Sequence, residues 1–228
     1  QLVGVKELIQ VVADCVPSAS IRKTIAAYDV SGEHPKEIEI PLVPTAPASA
    51  VVFKTYIDQY TGRMNYIRVV SGEITTDMQL LNTDTRQYEK AGRLFKANGH
   101  DLSEVQKLSE GEIGVLVKLE KTFTGNTLCD PKKPVRIPMI NLPSPVYGLA
   151  IKADNKKDED KLAQILQRAC EQNPTLRYEY RAETHQSVLL GMGELQIEIA
   201  LDEVRQKYKI GVATSVPRVA YRETISGK

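Results

Sequence analysis

The feature that most limits the possible folds is a series of short apolar segments between Ala48 and Val135, separated by turn signals. The turn signals are Asn82-Thr83-Asp84, Ala97-Asn98-Gly99 and Ser109-Glu110-Gly111, and Tyr60–Arg63 forms a further turn. Many short strands with no long helix between them predict a closed all-β barrel. The predicted strands are Val51–Ile57, Met64–Gly72, Gln79–Asn82, Gln87–Phe95, Ile113–Leu119 and Thr127–Cys129.

A different pattern follows the prolines near residue 140 and predicts a second domain. Its segments alternate between strands and helices in the order β-α-β-β-α-β, which describes a split βαβ, ferredoxin-like sandwich. We therefore expect a β domain followed by an α+β domain. The predicted elements are strand Val146–Lys152, helix Asp158–Gln172, strands Leu176–Ala182 and Ser187–Leu190, helix Glu194–Tyr208 and strand Lys209–Val216.

The two ends of the chain carry segments that belong to neither domain. Residues 4–16 have apolar side chains at helical spacing, and this stripe needs a surface to pack on. Prolines, serines and Gly32 punctuate residues 17–47, which predicts a linker with one short strand near Ile38 and Ile40. A strand at Arg218–Ile225 extends past the second domain. We expect a helix of a truncated neighbouring domain at 1–17, the linker at 18–47, the β domain at 48–138, the α+β domain at 139–225 and a short tail at 226–228. The chain is expected to be cut at a domain boundary at either end.

Composition excludes several functional classes. The 228 residues are 42% hydrophobic and 26% charged, with a formal net charge of +1, so the overall field does not steer the chain towards nucleic acid. No apolar run approaches the roughly 20 residues of a membrane span, and no signal-peptide pattern is present. Three distant cysteines indicate reduced thiols rather than disulfides, and three isolated histidines predict no metal site. We expect a cytoplasmic protein that contacts neither membrane nor DNA.

The stretch from Gly191 to Ile199 predicts a strand-to-helix turn with an unusual helix start. At about 100° per residue, a core stripe runs from Ile197 to Tyr208, whereas Leu195 and Ile199 lie on nearly the opposite face. A helix that is apolar on two sides only at its start predicts a contact with another domain there. The alternative is packing under a loop of the same domain. The two glycines suggest backbone angles that other residues resist.

No motif for nucleotide binding or covalent catalysis is present. A third glycine of a dinucleotide fingerprint would fall at Gln196, and no Gly-Lys-Ser/Thr follows Gly193. Glu194 and Glu198 oppose an anion at the helix start. The chain also lacks GxSxG and HExxH sequences. We therefore predict no catalytic residue and no cofactor for this chain itself.

Three phrases resemble a known family. They are GMGELQIEIALDEV, TGNTLCDPKKPV and VPRVAYRETI, and together they are similar to translational GTPases of the elongation factor G type. DQYTGRMNYIRVVSGEI, KLAQILQRACEQNPTLRYEY and GVKELIQVVADCVPS agree with this resemblance, which is collinear over essentially the whole chain. It implies a fragment holding the last helix of a GTP-binding domain, the translation-factor barrel of domain II and the ferredoxin-like domain III.

The resemblance also implies a role and partners. The parent would bind GTP and magnesium and couple GTP state to tRNA and mRNA translocation. The partners would be the ribosome (small-subunit rRNA and proteins) and the missing GTP-binding and C-terminal domains. The residues implied to face the switch regions and the family's fusidic acid site, together with the two apolar positions found from helix geometry, are Gly191, Met192, Gly193, Glu194, Leu195, Gln196 and Ile199.

The chain departs from the family phrase at two positions. Gln196 stands where the family usually has His, and Ile197 where it has Leu; Gln cannot titrate near neutral pH. The parent is therefore a housekeeping translocase or a paralogue for ribosome recycling or tetracycline protection. A free-standing ribosome- or RNA-binding adaptor is the non-GTPase alternative. The reading frame upstream of Gln1 distinguishes these alternatives. A P-loop sequence there would favour the GTPase, whereas a start codon there would favour the adaptor.

Basic residues along the barrel are candidates for phosphate contacts with rRNA. Tyr56, Tyr60 and Tyr66 are candidates for stacking on bases, although tyrosines in strands more often pack across the sheet. The basic candidates are Lys54, Arg63, Arg68, Arg86, Lys90 and Arg93.

Overall fold

The computed structural model describes residues 3–18, 21–58, 62–99 and 101–221, and it divides into two units at Met139/Ile140. The first unit holds one helix and thirteen strands within these ranges: α1 (Val5–Cys15), β1 (Thr24–Asp29), β2 (Lys36–Pro41), β3 (Ser49–Asp58), β4 (Gly62–Ser71), β5 (Glu73–Thr75), β6 (Met78–Asn82), β7 (Gln87–Ala91), β8 (Leu94–Asn98), β9 (Asp101–Val105), β10 (Lys107–Ser109), β11 (Ile113–Val117), β12 (Thr127–Cys129) and β13 (Val135–Arg136). The second holds β14 (Tyr147–Ala153), α2 (Glu159–Gln172), β15 (Arg177–Arg181), β16 (Gln186–Gly191), α3 (Glu194–Tyr208) and β17 (Val212–Ser215), with a 3₁₀ turn at Lys156–Asp158 before α2.

The main sheet of the first unit is antiparallel and has the strand order β7-β6-β12-β3-β4-β11-β8-β9. Alternate residues point inward, as the period of two requires, so that Val52 opposite Ile67 enters the core while Arg68 points away. Ala91 near one end of the strand order and Leu94 near the other belong to the same core. The sheet therefore curls around one core, and the predicted all-β fold is confirmed as barrel-like.

Several strand predictions need correction. The predicted strand Gln87–Phe95 is two strands, interrupted at Gly92 and Arg93. Ile113–Leu119 ends earlier, at Val117, because Lys118 has a left-handed φ of 64°. The short strands β5, β9 and β10 were not predicted, since three to five residues carry too little periodicity to be recognised. The sequence predicted a closed barrel, in which the two edge strands of the sheet, β7 and β9, would be hydrogen-bonded to each other. No such pairing is observed among the described residues.

The linker prediction for residues 18–47 is wrong between residues 24 and 41. β1 and β2 form an antiparallel hairpin, and β13 adds to the free edge of β1. Ala27, Ile40, Val70 and Ile137 form a small core beneath this sheet. Only the Ile38/Ile40 alternation was visible locally, because the stabilising partners lie far away in sequence.

Helix α1 lies within the predicted residues 4–16, and all eleven of its residues are exposed. Leu8 and Ile9 are each more than 60% exposed, although they lie on the apolar stripe. Apolar burial supplies most of the stability of a short helix. This helix therefore lacks that contribution from the described part of the chain.

The second unit confirms the ferredoxin-like prediction. Its antiparallel sheet has the order β15-β16-β14-β17, as the split βαβ topology requires, and α2 and α3 cover one face. Leu166 of α2, Leu189 of β16 and Ile197 of α3 are fully buried in this core. Residues 218–221 of the predicted strand Arg218–Ile225 are not in a strand, and residues 222–225 lie outside the described residues.

The cysteines form no disulfide in the described residues. Burial raises the pKa of both Cys129 and Cys170 to about 11, because an apolar environment disfavours the thiolate. Cys15 is exposed on α1. The two core thiols are therefore held in the unreactive protonated form at neutral pH.

Candidate functional site

The start of α3 forms a tight connection between a central strand and a helix. β16 ends at Gly191, which lies opposite Tyr147, and α3 begins three residues later at Glu194. Gly193 is extended, with φ of −178°, and Gly191 also lies outside the left-handed region. The prediction that these glycines supply unusual backbone angles is therefore wrong.

Gly191 is required for space instead. A Cβ atom there would lie 2.9 Å from Oε1 of Gln196, 3.1 Å from Cγ1 of Ile197 and 3.2 Å from Cδ2 of Leu176. All three distances are shorter than ordinary van der Waals contact. A Cβ at Gly193 would instead meet no described atom within 4 Å.

The side chain of Gln196 makes two hydrogen bonds across this connection. Its Oε1 accepts from the backbone N–H of Met192 at 2.7 Å, and its Nε2 donates to Oγ1 of Thr175 at 2.8 Å. Gln196 is the third residue of the helix, the position from which a capping-box side chain reaches back to the residues before the helix. It therefore ties the β16–α3 connection to the α2–β15 loop. Thr175 was not predicted, because no sequence pattern connects it to Gln196.

The two sides of the first turns of α3 differ in burial as the helix geometry predicts. Ile197 and Leu201 are buried in the core, whereas Leu195 is 68% and Ile199 63% exposed. Met192, in the connection, is 40% exposed. This exposure does not support the alternative that Leu195 and Ile199 pack under a loop of the same unit. We call Met192, Leu195 and Ile199 the apolar contact surface.

The charges beside the apolar contact surface are acidic. Glu194 lies in the first turn of α3, where a carboxylate is favoured by the helix dipole, and Glu198 is exposed one turn later. These carboxylates disfavour a phosphate at the helix start. The geometry is suited to an apolar protein contact.

Three of the six basic barrel candidates make contacts inside the first unit. Arg63 donates from Nη1 to the backbone oxygen of Glu120 at 2.5 Å and stacks over the ring of Phe123 at 4.8 Å. Lys90 pairs with Asp77 at 2.7 Å. Arg93 lies 3.7 Å from a Glu104 oxygen and over the ring of Phe95.

The other three basic candidates, Lys54, Arg68 and Arg86, are exposed. None of them has an ion pair to another described residue. Arg68 lines an apolar groove of about 650 Å³ together with Phe53. Tyr66 packs against Phe53 with ring centroids 6.3 Å apart, Tyr56 is 40% exposed, and Tyr60 lies outside the described residues. The structure therefore separates three candidates that have a partner within the first unit from three that have no ion pair to another described residue, although the side chains of Lys90 and Arg93 are also exposed.

Two features are absent from the described residues. In residues 3–18, 21–58, 62–99 and 101–221, no group of three or more His, Cys, Asp or Glu side chains has an arrangement that would hold a metal ion. Among the same residues, no helix has the length and apolarity that crossing a membrane requires.

Comparison with known families identifies both units. The family model described as Elongation factor G domain 2 matches residues 47–131, and the one described as Elongation Factor G, domain III matches residues 142–216. The chain is thus a pair of translation-factor domains, a β-barrel-like domain II and a ferredoxin-like domain III.

Whole-chain comparisons agree with these matches. Two proteins named Elongation factor G from Dehalococcoides mccartyi are 34% and 35% identical over 226 residues, which cover 98% of this chain and 32% of each relative. A crystal structure of a protein from Thermus thermophilus superposes with a TM-score of 0.74 and 27% identity, covering 95% of this chain and 30% of that one. The chain belongs to the elongation factor G family. It spans about a third of the length of the curated relatives.

Proposed function

We propose that this chain acts within a translational GTPase, where it binds the ribosome and couples GTP state to movement of tRNA and mRNA. GTP and magnesium would be held by a GTP-binding domain outside these 228 residues, and the protein would work in the cytoplasm. The collinear similarity to elongation factor G over 98% of the chain supports this role.

The apolar contact surface supports the coupling part of the proposal and is the observation that carries it. Leu195 and Ile199 expose most of their side chains at the N-terminal end of a helix whose other face is buried. Exposed apolar groups that cluster on a folded surface indicate an interaction site. We assign this surface to contact with the switch regions of the GTP-binding domain. A conformational change of the switch regions would then be transmitted directly to domain III.

The decisive experiment measures ribosome-stimulated GTP hydrolysis and single-round translocation by the full-length protein. Both activities together would support a working translocase. Stimulated hydrolysis without translocation would indicate a paralogue for ribosome recycling or tetracycline protection, an alternative favoured by Gln196 in place of the usual histidine. Absence of any stimulation by the ribosome would contradict the proposal.

The 228-residue chain alone is expected neither to bind nor to hydrolyse GTP. It contains no GxxxxGK[ST] sequence, and phosphoryl transfer in this class of enzyme requires a P-loop, a magnesium ligand and switch segments. Isothermal titration with GTP and magnesium should give no heat of binding. Detection of guanine-nucleotide binding at micromolar concentration would contradict this prediction.

For RNA contact, the structure favours Arg68 over Arg63. We expect Arg68→Ala to weaken ribosome binding and reduce its salt dependence, because an exposed arginine that has no ion pair to another described residue can bind a phosphate. Its effect on the free energy of unfolding should stay within about 0.5 kcal/mol.

Arg63→Ala is the matched comparison for Arg68→Ala. It should destabilise the first unit by about 2 kcal/mol, since it removes a charged hydrogen bond to Glu120 and a stacking contact with Phe123. Urea denaturation and ribosome co-sedimentation over a series of salt concentrations would measure both variants. Equal binding by the wild type and Arg68→Ala would remove Arg68 from the candidate interface.

A further inference from the structure

The connection between β16 and α3 is held by a small polar cluster of three elements. Thr175 precedes β15, Met192 follows β16, and Gln196 lies in the first turn of α3. The amide of Gln196 bridges the other two, at 2.7 Å to the Met192 N–H and 2.8 Å to the Thr175 hydroxyl. Thr175 and Gln196 are both half-buried, so the bond between them is partly shielded from water, whereas the bond to the Met192 N–H is exposed.

The orientation of the amide follows from the chemistry of its partners. A backbone N–H can only donate, so the carbonyl oxygen of Gln196 must face Met192. The NH₂ group then faces the Thr175 hydroxyl, which can accept. The missing side chain of Gly191 provides the space, because a Cβ there would lie 2.9 Å from the Gln196 oxygen. Gly191, Gln196 and Thr175 thus form one unit, which we call the amide bridge.

We propose that Gln196 is a positioning residue that fixes Met192 and the start of α3, and thereby sets the geometry of the apolar contact surface. This inference rests on the proposed interdomain role of that surface. Met192 is attached directly through its N–H, and Leu195 immediately precedes Gln196 in the same helical turn. A contact surface held in place before docking loses less conformational entropy when its partner binds.

The geometry also defines which side chains can replace Gln196. Glutamate retains an acceptor for the Met192 N–H, and its second oxygen can accept a hydrogen bond from the Thr175 hydroxyl with the direction of that bond reversed. Methionine has a similar length and flexibility but only a weak acceptor. The pair Gln196→Glu and Gln196→Met therefore separates hydrogen bonding from packing.

The first test measures amide hydrogen exchange in the 228-residue chain by NMR. Gln196→Met should increase the exchange rate of the Met192 amide about tenfold, while the amides of Leu201 and Val204 in the middle of α3 change less than twofold. Gln196→Glu should restore protection of Met192. Gln206→Met, at an exposed position of the same helix, is the matched control and should leave Met192 unchanged. An unchanged Met192 rate in Gln196→Met would overturn the amide bridge.

The second test uses the full-length protein in single-round translocation. Gln196→Met and Thr175→Val should slow translocation at least threefold, and Gln196→Glu should stay within twofold of the wild type. Faster exchange at Met192 with unchanged translocation would overturn the positioning role. Failure of the proposed function itself would be recognised separately, because the wild type would then show no ribosome-stimulated GTP hydrolysis.

Discussion

Replacement of Leu195 by aspartate in the full-length protein is expected to slow translocation roughly a hundredfold while leaving ribosome-stimulated GTP hydrolysis largely intact. Leu195 is 68% exposed, so the variant should fold normally. A carboxylate placed in an apolar contact must be desolvated without a partner, and a cost of about 2.7 kcal/mol in the coupled state corresponds to this change in rate. The two activities would be measured on the same preparation.

The matched control for Leu195→Asp is Gln206→Asp. Gln206 lies on the exposed polar side of the same helix, so this variant introduces the same charge away from the apolar contact surface. It should translocate like the wild type. Normal translocation by Leu195→Asp would show that this surface makes no apolar contact in the working cycle, and the proposed coupling role would then be lost.

Gly72→Ala is expected to produce the largest loss of stability, about 3 kcal/mol in the free energy of unfolding of the first unit. Gly72 has a left-handed φ of 67°, and its N–H donates to the backbone oxygen of Val43 at 3.0 Å. An added Cβ would lie 2.7 Å from the backbone N of Ala48 and would also collide with the backbone oxygen of Ala46. Strain in φ contributes about 1–2 kcal/mol and overpacking a similar amount, because these backbone atoms cannot rotate away.

Gly99→Ala separates the two contributions to this loss. Gly99 also has a left-handed φ, of 63°, close to that of Gly72, but a Cβ there would meet no described atom within 4 Å. This control should lose only about 1 kcal/mol, the strain contribution. Urea denaturation with NMR signals from each unit would show that the second unit is unaffected by either change. Equal losses in the two variants would mean that the close approach at Gly72 relaxes without cost.

The β1–β2 hairpin shows what local sequence patterns cannot predict. The hairpin β1–β2 was predicted as a linker, because Gly32, Pro35 and Pro41 punctuate its sequence. Pro35 immediately precedes β2 and Pro41 is its last residue, so neither interrupts the strand. The hairpin is stabilised by packing against Val70 and Ile137, which lie far from it in the sequence. Periodicity within a window cannot reveal such partners.

The basic candidates show a similar limit. Sequence composition placed Arg63 and Arg68 in one class, since both lie close together in sequence and carry the same charge. Only the folded arrangement brings the Glu120 carbonyl and the Phe123 ring to Arg63, while Arg68 remains exposed five residues away. Availability of a charge for a partner is therefore a tertiary property.

The sequence alone determined the type and order of the main elements and the two-sided start of α3. Helical periodicity assigned Ile197 and Leu195 to opposite faces, and the structure buries the first and exposes the second, because 3.6 residues per turn fixes their relative direction. Only the tertiary structure determined which groups the residues at the start of α3 contact. The bond from Gln196 to Thr175 and the space above Gly191 depend on loops that are separate in sequence and meet only when the sheet and helices pack.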